Sequence, residues 1–343
     1  MKPLEWKREM HALVFVDQRA LPTLKYVTCE TLEDVASAIK NMVVRGAPAI
    51  AVAGVYGLAL HAFHVFDNKS KDFGQLLVEL KRGVELLKNA RPTAVNLSIA
   101  LDKILQEAHK LQNLEDLPTF ILREAEEMIE EDRKMNLQIA ENGLSLIQDN
   151  FTILTHCHTG GLAVASGEYG TAQGIIKLAS ERKQSIRVFA TETRPYLQGR
   201  ITAFELAKEN VDVTIIPDNA VGILMYRKII DCVIVGADRV LGTGHVFNKI
   251  GTYALAVLAN QHQIPFYVAL PVTTFDFNTQ NLEDIIIEER NPNEVRFCGE
   301  RQIVPDDVPV LNPAFDITPP ELITALICDK GIIYPPFDKT ITA

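Results

Sequence analysis

The stretch TILTHCHTGG, residues 152–161, places Cys157 between His156 and His158 at the end of an apolar run. A cysteine there can be a metal ligand, a working thiol or a buried structural side chain. On an extended strand the two histidines would share one face and Cys157 would take the other. A zinc site would also need further ligands at close spacing, and none is evident. A reactive thiol at a strand tip therefore fits better than a metal ligand, and a buried structural thiol stays open.

Two further features would help such a thiol to react. Gly160 and Gly161 predict a tight turn into a following helix, whose N–H groups would favour a thiolate. Asp238 ends a second apolar run, VIVGADR, residues 233–239. A carboxylate there can simply cap a turn, or partial desolvation can raise its pKa so that it serves as a general acid. We expect Cys157 and Asp238 to meet across one crevice.

Cationic and amide side chains occupy comparable breaks in the pattern. Alone, each is typical of a surface charge or a structural ion pair. Together they supply the guanidinium, amide and helix-end donors that a phosphate needs, which predicts a phosphorylated small molecule as ligand. These residues are Arg45 with Gly46 and Ala47 in VVRGAPAI, Arg91 in RPTAVNL, Arg194 and Gln198 in TETRPYLQGR, and Asn248 with Lys249 at an expected helix start in FNKIGTY.

After residue 150, short apolar strands alternate with helical stretches. This pattern predicts a parallel sheet with helices on both faces, in which ligands bind beyond the carboxyl ends of the strands. No GxGxxG follows the first strand and no GxxxxGK[ST] occurs, so dinucleotide and P-loop sites lack support. The expected strands are TILTHC, SIRVFAT, DVTIIP, DCVIVGAD and PFYVALP, with GTAQGIIKLASERK and GRITAFELAKEN among the helices.

The preceding part of the chain is expected to be mainly helical. Residues 1–121 form one predicted domain, with a small sheet from LEW, ALVFVDQ and TLKYVTC, followed by helices that begin at a cap near Thr31. Residues 122–149 are predicted to form a linking helix, and residues 150–343 the second domain. The charge run 130–132 within the linking helix is interpreted as a solvated face.

Composition limits the function classes. The chain has 343 residues and is 47% hydrophobic, enough for two domains or one large one. A net charge of −10 gives no general footprint for nucleic acid or an anionic membrane. We find no apolar N-terminal targeting segment and no stretch of the roughly 18 to 20 uncharged apolar residues of a membrane span, so we expect a cytoplasmic protein. Five dispersed cysteines predict mostly reduced core thiols.

These motifs together resemble the methylthioribose-1-phosphate isomerases, a family whose superfamily includes the regulatory subunits of the eukaryotic translation-initiation guanine-nucleotide exchange factor. The resemblance covers nearly the whole chain, and the RGAPAI, ETRP-Q and NKIGTY blocks are the most specific. The matching blocks are LEW, VDQRALP, MVVRGAPAIAVAGVYGLAL, RPTAVNL, ILTHCHTGGLA, ETRPYLQGRITAFEL, GADRV, NKIGTYALAVLA, PFYVALPVTTFD, IIIEERNPNEV and NPAFDITPPELI.

The resemblance implies a homodimer, a mainly helical N-terminal domain and a Rossmann-like C-terminal domain, with no redox cofactor or metal. Cys157 matches the family's catalytic cysteine and Asp238 its catalytic aspartate. The family's substrate and phosphate contacts match Arg45, Gly46, Ala47, Arg91, Gln198, Asn248 and Lys249.

Some positions depart from the family pattern, and several of them flank the predicted crevice. They leave the group at the non-phosphate end of the substrate open, so that 5-deoxyribose 1-phosphate is also a credible substrate. The departures are His158 where Asn is usual, Gly161 where Ala is common, His245 and Phe247 in TGHVFNKIG, and Cys328 and Asp329 in CDKG.

The implied reaction is an aldose–ketose isomerisation of 5-methylthioribose 1-phosphate to 5-methylthioribulose 1-phosphate, a step of methionine salvage. A phosphate on the anomeric oxygen prevents ordinary ring opening. We hypothesise that protonated Asp238 donates to the ring oxygen and that the Cys157 thiolate takes the C2 proton; a hydride shift from C2 to C1 is the chemical alternative. Rival functions are a ribose 1,5-bisphosphate isomerase, a non-catalytic regulatory subunit and a thiol-dependent acyl transferase.

Overall fold

A computed structural model describes residues 1–67, 73–92, 94–111, 116–279, 282 and 285–341. The chain divides into two compact units. The first contains residues 1–134 together with 160–170, and the second contains residues 135–159 together with 171–343. The segment 160–170, which follows Cys157 in the chain, therefore belongs to the first unit.

The first unit is mainly helical, with a three-stranded antiparallel sheet of order β1-β2-β3, as expected from the sequence. The Thr31 hydroxyl accepts the Asp34 N–H at 3.1 Å and the Asp34 carboxylate accepts the Thr31 N–H at 3.0 Å, so a capping box starts α1. The elements are β1 (Leu4–Lys7), β2 (Ala12–Val16), β3 (Tyr26–Cys29), α1 (Leu32–Lys40), α2 (Ala47–Asp67), α3 (Phe73–Ala90), α4 (Val95–Ala108) and α5 (Leu117–Leu144), the last of which ends in the second unit.

Helix α2 corrects one expectation from the sequence. Its segment Ala47–Val65 has 19 residues and a mean hydropathy of 1.5, which by length and composition would suffice to cross a membrane. The expectation that no stretch reaches this length is therefore wrong. However, 72% of the segment is buried inside the protein, where α2 packs against α1, α3 and α4. A helix surrounded by other elements is apolar on every face, which explains the composition.

The charge run 130–132 on α5 does not form an entirely solvated face, as the sequence analysis had interpreted it. Glu131 is exposed, but Asp132 is buried and accepts the N–H of Ser166 at 3.0 Å. The buried side chain of Gln18 donates to the carbonyl oxygen of Leu162 at 2.7 Å. These bonds hold the 160–170 segment within the first unit.

The second unit is built on a seven-stranded sheet of order β16-β15-β10-β7-β4-β5-β6, parallel except for β16. The five expected strands are confirmed as β4, β5, β6, β7 and β10, whereas β15 and β16 were not expected. The elements are β4 (Thr152–Thr155), α6 (Ala172–Arg182), β5 (Arg187–Thr191), α7 (Gly199–Lys208), β6 (Asp212–Ile216), α8 (Val221–Tyr226), β7 (Cys232–Val235), β8 (Arg239–Leu241), β9 (Val246–Lys249), α9 (Thr252–Gln261), β10 (Phe266–Ala269), β11 (Phe275–Asp276), α10 (Asn293–Arg296), β12 (Phe297–Cys298), β13 (Arg301–Gln302), β14 (Phe315–Thr318), β15 (Ala325–Cys328), β16 (Gly331–Ile333) and α11 (Phe337–Thr340).

Successive side chains of the sheet enter two separate cores. Ile153 and Ile234 belong to a cluster with residues of α5, α6 and α7, whereas Leu154 and Val233 belong to a cluster with residues of α8 and α9. Alternation along each strand therefore directs side chains to both faces, and helices cover both. The predicted fold class, a helical N-terminal region and a parallel sheet covered by helices, is confirmed.

The strand order reverses between β4 and β7. From β4 the chain proceeds through β5 and β6 to one edge, and it then returns to place β7, β10 and β15 on the other side. The loops that leave β4 and β7 consequently diverge at a topological switch point, where ligands bind in open α/β sheets. After β7 the chain enters a second, four-stranded sheet of order β11-β8-β9-β14.

Candidate active site

Cys157 and Asp238 follow the two strands at the switch point. β4 and β7 are parallel neighbours, with Leu154 opposite Val233. Cys157 lies two residues beyond the end of β4, and Asp238 three residues beyond the end of β7. Because both strands run in the same direction, both residues lie at the same edge of the sheet.

The backbone at Cys157 differs from the extended strand assumed in the sequence analysis. β4 ends at Thr155, and Cys157 has φ of 65°, in the left-handed region that non-glycine residues rarely adopt. Strand alternation therefore does not determine where the Cys157 side chain points. The expectation that an extended strand places it on the face opposite the two histidines is wrong. Two side chains hold this conformation: the Cys157 N–H donates to Thr193 Oγ1 at 2.9 Å, and the Thr202 hydroxyl donates to the Cys157 carbonyl at 2.7 Å.

The two histidines beside Cys157 have protein partners. His156 Nε2 donates to the carbonyl of Ile250 at 2.8 Å, so Nδ1 accepts the Thr191 hydroxyl at 2.6 Å, and burial lowers the pKa of this imidazole. His158 Nε2 contacts Glu205 Oε2 at 2.5 Å, with both side chains almost fully buried. Within the described ranges, no group of three or more His, Cys, Asp and Glu side chains is arranged to hold a metal ion.

The other cysteines differ from Cys157 in environment. Cys29, Cys232 and Cys328 are buried, as expected for core thiols, and burial raises their pKa, that of Cys29 to about 12. Cys298 is exposed and Cys157 is partly exposed. Cys157 is thus accessible and lies next to the switch point.

The helix expected directly after Gly161 does not form there. Gly161–Ala163 makes a single 3-10 turn, and α6 begins only at Ala172. The intervening backbone instead packs in the first unit. No helix N-terminus therefore follows Cys157 directly in the chain, and the predicted helix-end contribution to a thiolate is wrong in that form.

Asp238 has the electrostatic character expected of an acid. Its N–H donates to the carbonyl of Phe247 at 2.9 Å. Although the residue is exposed, the surrounding protein displaces enough water to raise its pKa to about 6. Lys249 opposes this shift and Glu288 adds to it. The direction of the predicted shift is confirmed.

Asn248 and Lys249 are the last residues of β9 and do not start a helix, because they pair with β14. Asn248 is buried and donates to Thr252 Oγ1 at 2.9 Å. Lys249 Nζ donates to the carbonyl of Ala314 at 3.0 Å and lies 4.6 Å from the centre of the Phe315 ring. The positive charge of Lys249 is close enough to Asp238 to lower the pKa of that carboxyl group.

Sequence reasoning missed Asp316 on β14. Its carboxylate accepts the N–H of Gly251 at 2.7 Å and that of Tyr253 at 3.1 Å. Burial raises its pKa to about 6. Two N–H groups at the start of α9 are therefore occupied by a carboxylate and do not serve as the helix-end donors expected in FNKIGTY. The signal was a carboxylate within the apolar run AFDIT.

Gln198 is the N-cap residue of α7, at the carboxyl end of β5. It is only 4% exposed, and within the part of the chain that the structure describes its Oε1 has no hydrogen-bond partner. A buried acceptor without a donor is costly and fits a ligand hydroxyl. Arg194, by contrast, donates to the carbonyls of Pro195 and Val295 and supports the loop.

The remaining predicted contacts lie in the first unit. Gly46 has φ of +88°, and a Cβ there would lie 1.8 Å from the carbonyl oxygen of Ala163, so only glycine fits. Arg45 is partly buried and Ala47 is exposed at the start of α2. Arg91 is partly buried and follows the end of α3.

Helices α2 and α3 are antiparallel neighbours. His61 Nε2 lies 3.1 Å from the Glu79 carbonyl oxygen, and Gly83 packs against Leu58. Contacts that run in opposite directions along the two helices bring the end of α3 to the start of α2. Arg91 and the residues around Gly46 therefore lie at the same end of this helix pair.

Comparisons with known proteins agree with these observations. The profile of the Initiation factor 2 subunit family matches residues 43–335. A methylthioribose-1-phosphate isomerase of Thermosipho melanesiensis is 48% identical over 340 residues, 98% of this chain and 96% of that protein.

Two solved structures are similar over nearly their full length. The 5-methylthioribose 1-phosphate isomerase of Pyrococcus horikoshii OT3 is 40% identical, has a TM-score of 0.91 and is matched over 98% of this chain and 94% of that one. A protein of A. fulgidus named translation initiation factor eIF-2B, subunit delta, is 43% identical, with a TM-score of 0.89 and coverage of 99% and 98%. The predicted isomerase class is confirmed by the named relatives. The chain belongs to the Initiation factor 2 subunit family and, within it, to the methylthioribose-1-phosphate isomerases.

Proposed function

We propose that this protein converts 5-methylthioribose 1-phosphate into 5-methylthioribulose 1-phosphate, an aldose–ketose isomerisation in methionine salvage. The observation that carries the proposal is the arrival of Cys157 and Asp238 at the carboxyl ends of β4 and β7, where the strand order reverses. The names of relatives at 46% to 49% identity support the same substrate.

In the proposed mechanism Asp238 is the general acid. With a pKa near 6, its protonated form is accessible close to neutrality. It donates its proton to the ring oxygen as the bond between C1 and that oxygen breaks. Opening the ring at this bond is necessary because the phosphorylated anomeric oxygen cannot release a free aldehyde.

The Cys157 thiolate then takes the proton from C2, which leaves an enol across C1 and C2. The resulting thiol exchanges its proton with water and protonates C1, while the C2 hydroxyl gives its proton to the Asp238 carboxylate and becomes the ketone. A hydride shift from C2 to C1 gives the same product without the thiol as base. Isomerisation in deuterated water separates the two routes, since complete retention of hydrogen at C1 would exclude proton transfer to Cys157.

We propose that the remaining predicted residues bind the substrate. Lys249 supplies charge for the phosphate, and the Oε1 of buried Gln198, which has no hydrogen-bond partner among the described residues, suits a sugar hydroxyl. By resemblance to the family, the other contacts come from Arg45, Gly46, Ala47, Arg91 and Asn248.

A turnover assay with three substrates tests the proposal. We expect the highest kcat/KM with 5-methylthioribose 1-phosphate and lower values with 5-deoxyribose 1-phosphate and ribose 1,5-bisphosphate. A higher kcat/KM with either competitor would overturn the assignment of the C5 substituent while leaving the isomerase class intact.

The A. fulgidus relative named as an initiation-factor subunit favours a second candidate, a regulatory subunit without catalysis. The raised pKa of Asp238 and the partial exposure of Cys157 support catalysis instead. Absence of turnover on all three sugar phosphates, by a protein whose circular dichroism and thermal unfolding indicate a folded state, would favour the regulatory function.

We further propose that the protein is a homodimer, as the family resemblance implies. Helices α8 and α9 pack against each other and expose Ile223, Tyr226, Tyr253 and Val257. Such an apolar surface suits a second copy of the chain. Sedimentation velocity at micromolar concentration should give a dimer, and Tyr226→Glu should shift it toward monomer; a monomeric wild-type protein would contradict the proposal.

A further inference from the structure

The backbone of Cys157 is held on both sides by side-chain hydroxyls. Its N–H donates to Thr193 Oγ1 at 2.9 Å and its carbonyl accepts from Thr202 Oγ1 at 2.7 Å. Thr193 and Thr202 are at most 1% exposed. A left-handed backbone at a non-glycine residue costs free energy and persists only where the surroundings enforce it. These two bonds are such a constraint.

Thr193 is itself held in place. It also has a positive φ, of 60°, and its N–H donates to the Asp218 carboxylate at 2.7 Å. Its hydroxyl lies 3.2 Å from that of Thr191, which donates to Nδ1 of His156 at 2.6 Å. His156 in turn donates to the carbonyl of Ile250. A continuous buried chain of hydrogen bonds therefore runs from the turn before α9 to the N–H of Cys157.

Thr202 lies on a polar stripe of α7. Gln198, Thr202 and Glu205 are spaced by four and three residues, which places them on one face of the helix, and all three are at most 4% exposed. Thr202 holds Cys157 and Glu205 contacts His158. One helix face therefore fixes two consecutive residues of the segment that carries the thiol.

We propose that Thr193 and Thr202 are positioning residues, which set the direction of the Cys157 thiol by fixing the peptide groups on both sides of its Cα. Neither hydroxyl needs to touch the substrate. The inference rests on the proposed function, because a precise thiol direction matters for kcat only if Cys157 takes part in the reaction. Displacing a reacting group by about 1 Å can cost up to about 100-fold in rate.

The test compares Thr202→Val and Thr193→Val with Thr202→Ser and Thr193→Ser. Valine keeps the shape and removes the hydroxyl, whereas serine keeps the hydroxyl. We expect the valine variants to lower kcat on 5-methylthioribose 1-phosphate by about 10- to 100-fold with KM within about twofold. The serine variants should retain most of kcat. Thr318→Val is the matched control, since Thr318 is fully buried and its hydroxyl has no hydrogen-bond partner among the described residues.

A second readout needs no turnover. The rate of alkylation of Cys157 by iodoacetamide, followed by peptide mass spectrometry, should change at least about threefold in the valine variants and return toward wild type in the serine variants. Exposed Cys298 serves as an internal reference and should react at an unchanged rate.

The outcomes separate the two proposals. Valine variants with wild-type kcat and wild-type alkylation of Cys157 would overturn the positioning role, as would serine variants as impaired as the valine ones. An altered Cys157 alkylation rate in a protein that turns over no sugar phosphate would keep the positioning role and overturn the proposed function.

Discussion

The segments that carry Cys157 and Asp238 differ in how the protein controls them. Cys157 has a left-handed backbone with both peptide groups bonded to buried threonines. Asp238 is exposed and is controlled by its electrical surroundings: displacement of water raises its pKa, Glu288 reinforces the shift and Lys249 opposes it.

In the proposed mechanism, this difference corresponds to two different chemical tasks. A group that removes a proton from carbon needs a defined direction, which hydrogen bonds to the backbone supply. A group that donates a proton to oxygen needs above all a suitable pKa, which desolvation and nearby charges supply. We therefore expect the function of Cys157 to be lost when its backbone geometry is disturbed, and that of Asp238 to be altered when the charges around it are changed.

The largest effect is expected on removing either group. Cys157→Ser and Asp238→Asn should each lower kcat by at least about 100-fold, the low end for loss of a general acid or base. Steady-state kinetics on 5-methylthioribose 1-phosphate measure this, with Cys298→Ser as a control that removes an exposed thiol outside the site. A near-normal kcat in either variant would contradict the catalytic role proposed for the residue that it replaces.

The next effect is a loss of stability, expected when the start of α7, the helix that holds Cys157 through Thr202, is displaced. A Cβ on Gly199 would lie 1.7 Å from the carbonyl oxygen of Thr191, so Gly199→Ala must displace the start of α7 and should lower the free energy of unfolding by at least about 2 kcal/mol. Gly222→Ala in α8 is the control, because a Cβ there would meet no atom of the described residues within 4 Å. Denaturant unfolding checks both; equal stability of the two variants would contradict the tight packing at Gly199.

The raised pKa values of Asp238 and Asp316 predict an unusual titration of aspartate carboxyl groups. In ¹³C spectra of carboxyl-labelled aspartate, two carboxyl groups should titrate near pH 6, and Asp238→Asn should remove one of them and Asp316→Asn the other. A spectrum in which every aspartate titrates near the ordinary value of 3.8 would contradict the desolvation of both groups.

The same shift links stability to pH. Because the folded-state pKa of Asp238 lies above the ordinary value, the folded protein binds this proton more tightly than the unfolded chain. The resulting stability is fully present below about pH 4 and is lost as the pH rises through about 6. Relative to wild type, Asp238→Asn should therefore become more stable as the pH rises across this window, as followed by thermal unfolding; a constant difference would count against it.

The smallest expected effect is a pair of opposite shifts in the Asp238 titration. Glu288→Gln should lower its midpoint because a negative charge is removed, and Lys249→Met should raise it because a positive charge is removed. The Asp316 midpoint should rise in Lys249→Met, since Lys249 lowers its pKa too. Shifts of the Asp238 midpoint in the same direction would contradict the assigned charges.

Local sequence patterns predicted much of the second unit because they reflect local physics. Runs such as TILT and CVIV are strands because apolar residues suit a sheet buried on both faces, and the strands at the switch point followed from them. The alternation rule failed at Cys157, because the strand ends at Thr155 and distant threonines set the backbone beyond it. The helix start expected at Asn248 failed because β14, far along the chain, pairs with those residues.

Predictions from composition alone were wrong for a comparable reason at α2, whose apolar length was missed, and at Asp132, which was expected to be solvated. Both are surrounded by parts of the chain that are distant in sequence: α2 by three other helices, and Asp132 by the 160–170 segment. Neither the length of an apolar run nor a cluster of charges reveals such neighbours, because burial depends on what packs against a face.

By itself, the sequence determined which residues have reactive groups, which segments are strands and helices, and to which family the chain belongs, because these depend on residue types and on spacing along the chain. Only the tertiary structure decided the left-handed backbone at Cys157, the raised pKa of Asp238 and the capping of α9 by Asp316. The first and the third arise from groups tens of residues away. The second arises from desolvation by the surrounding protein and from the charges of Lys249 and Glu288, which act through space.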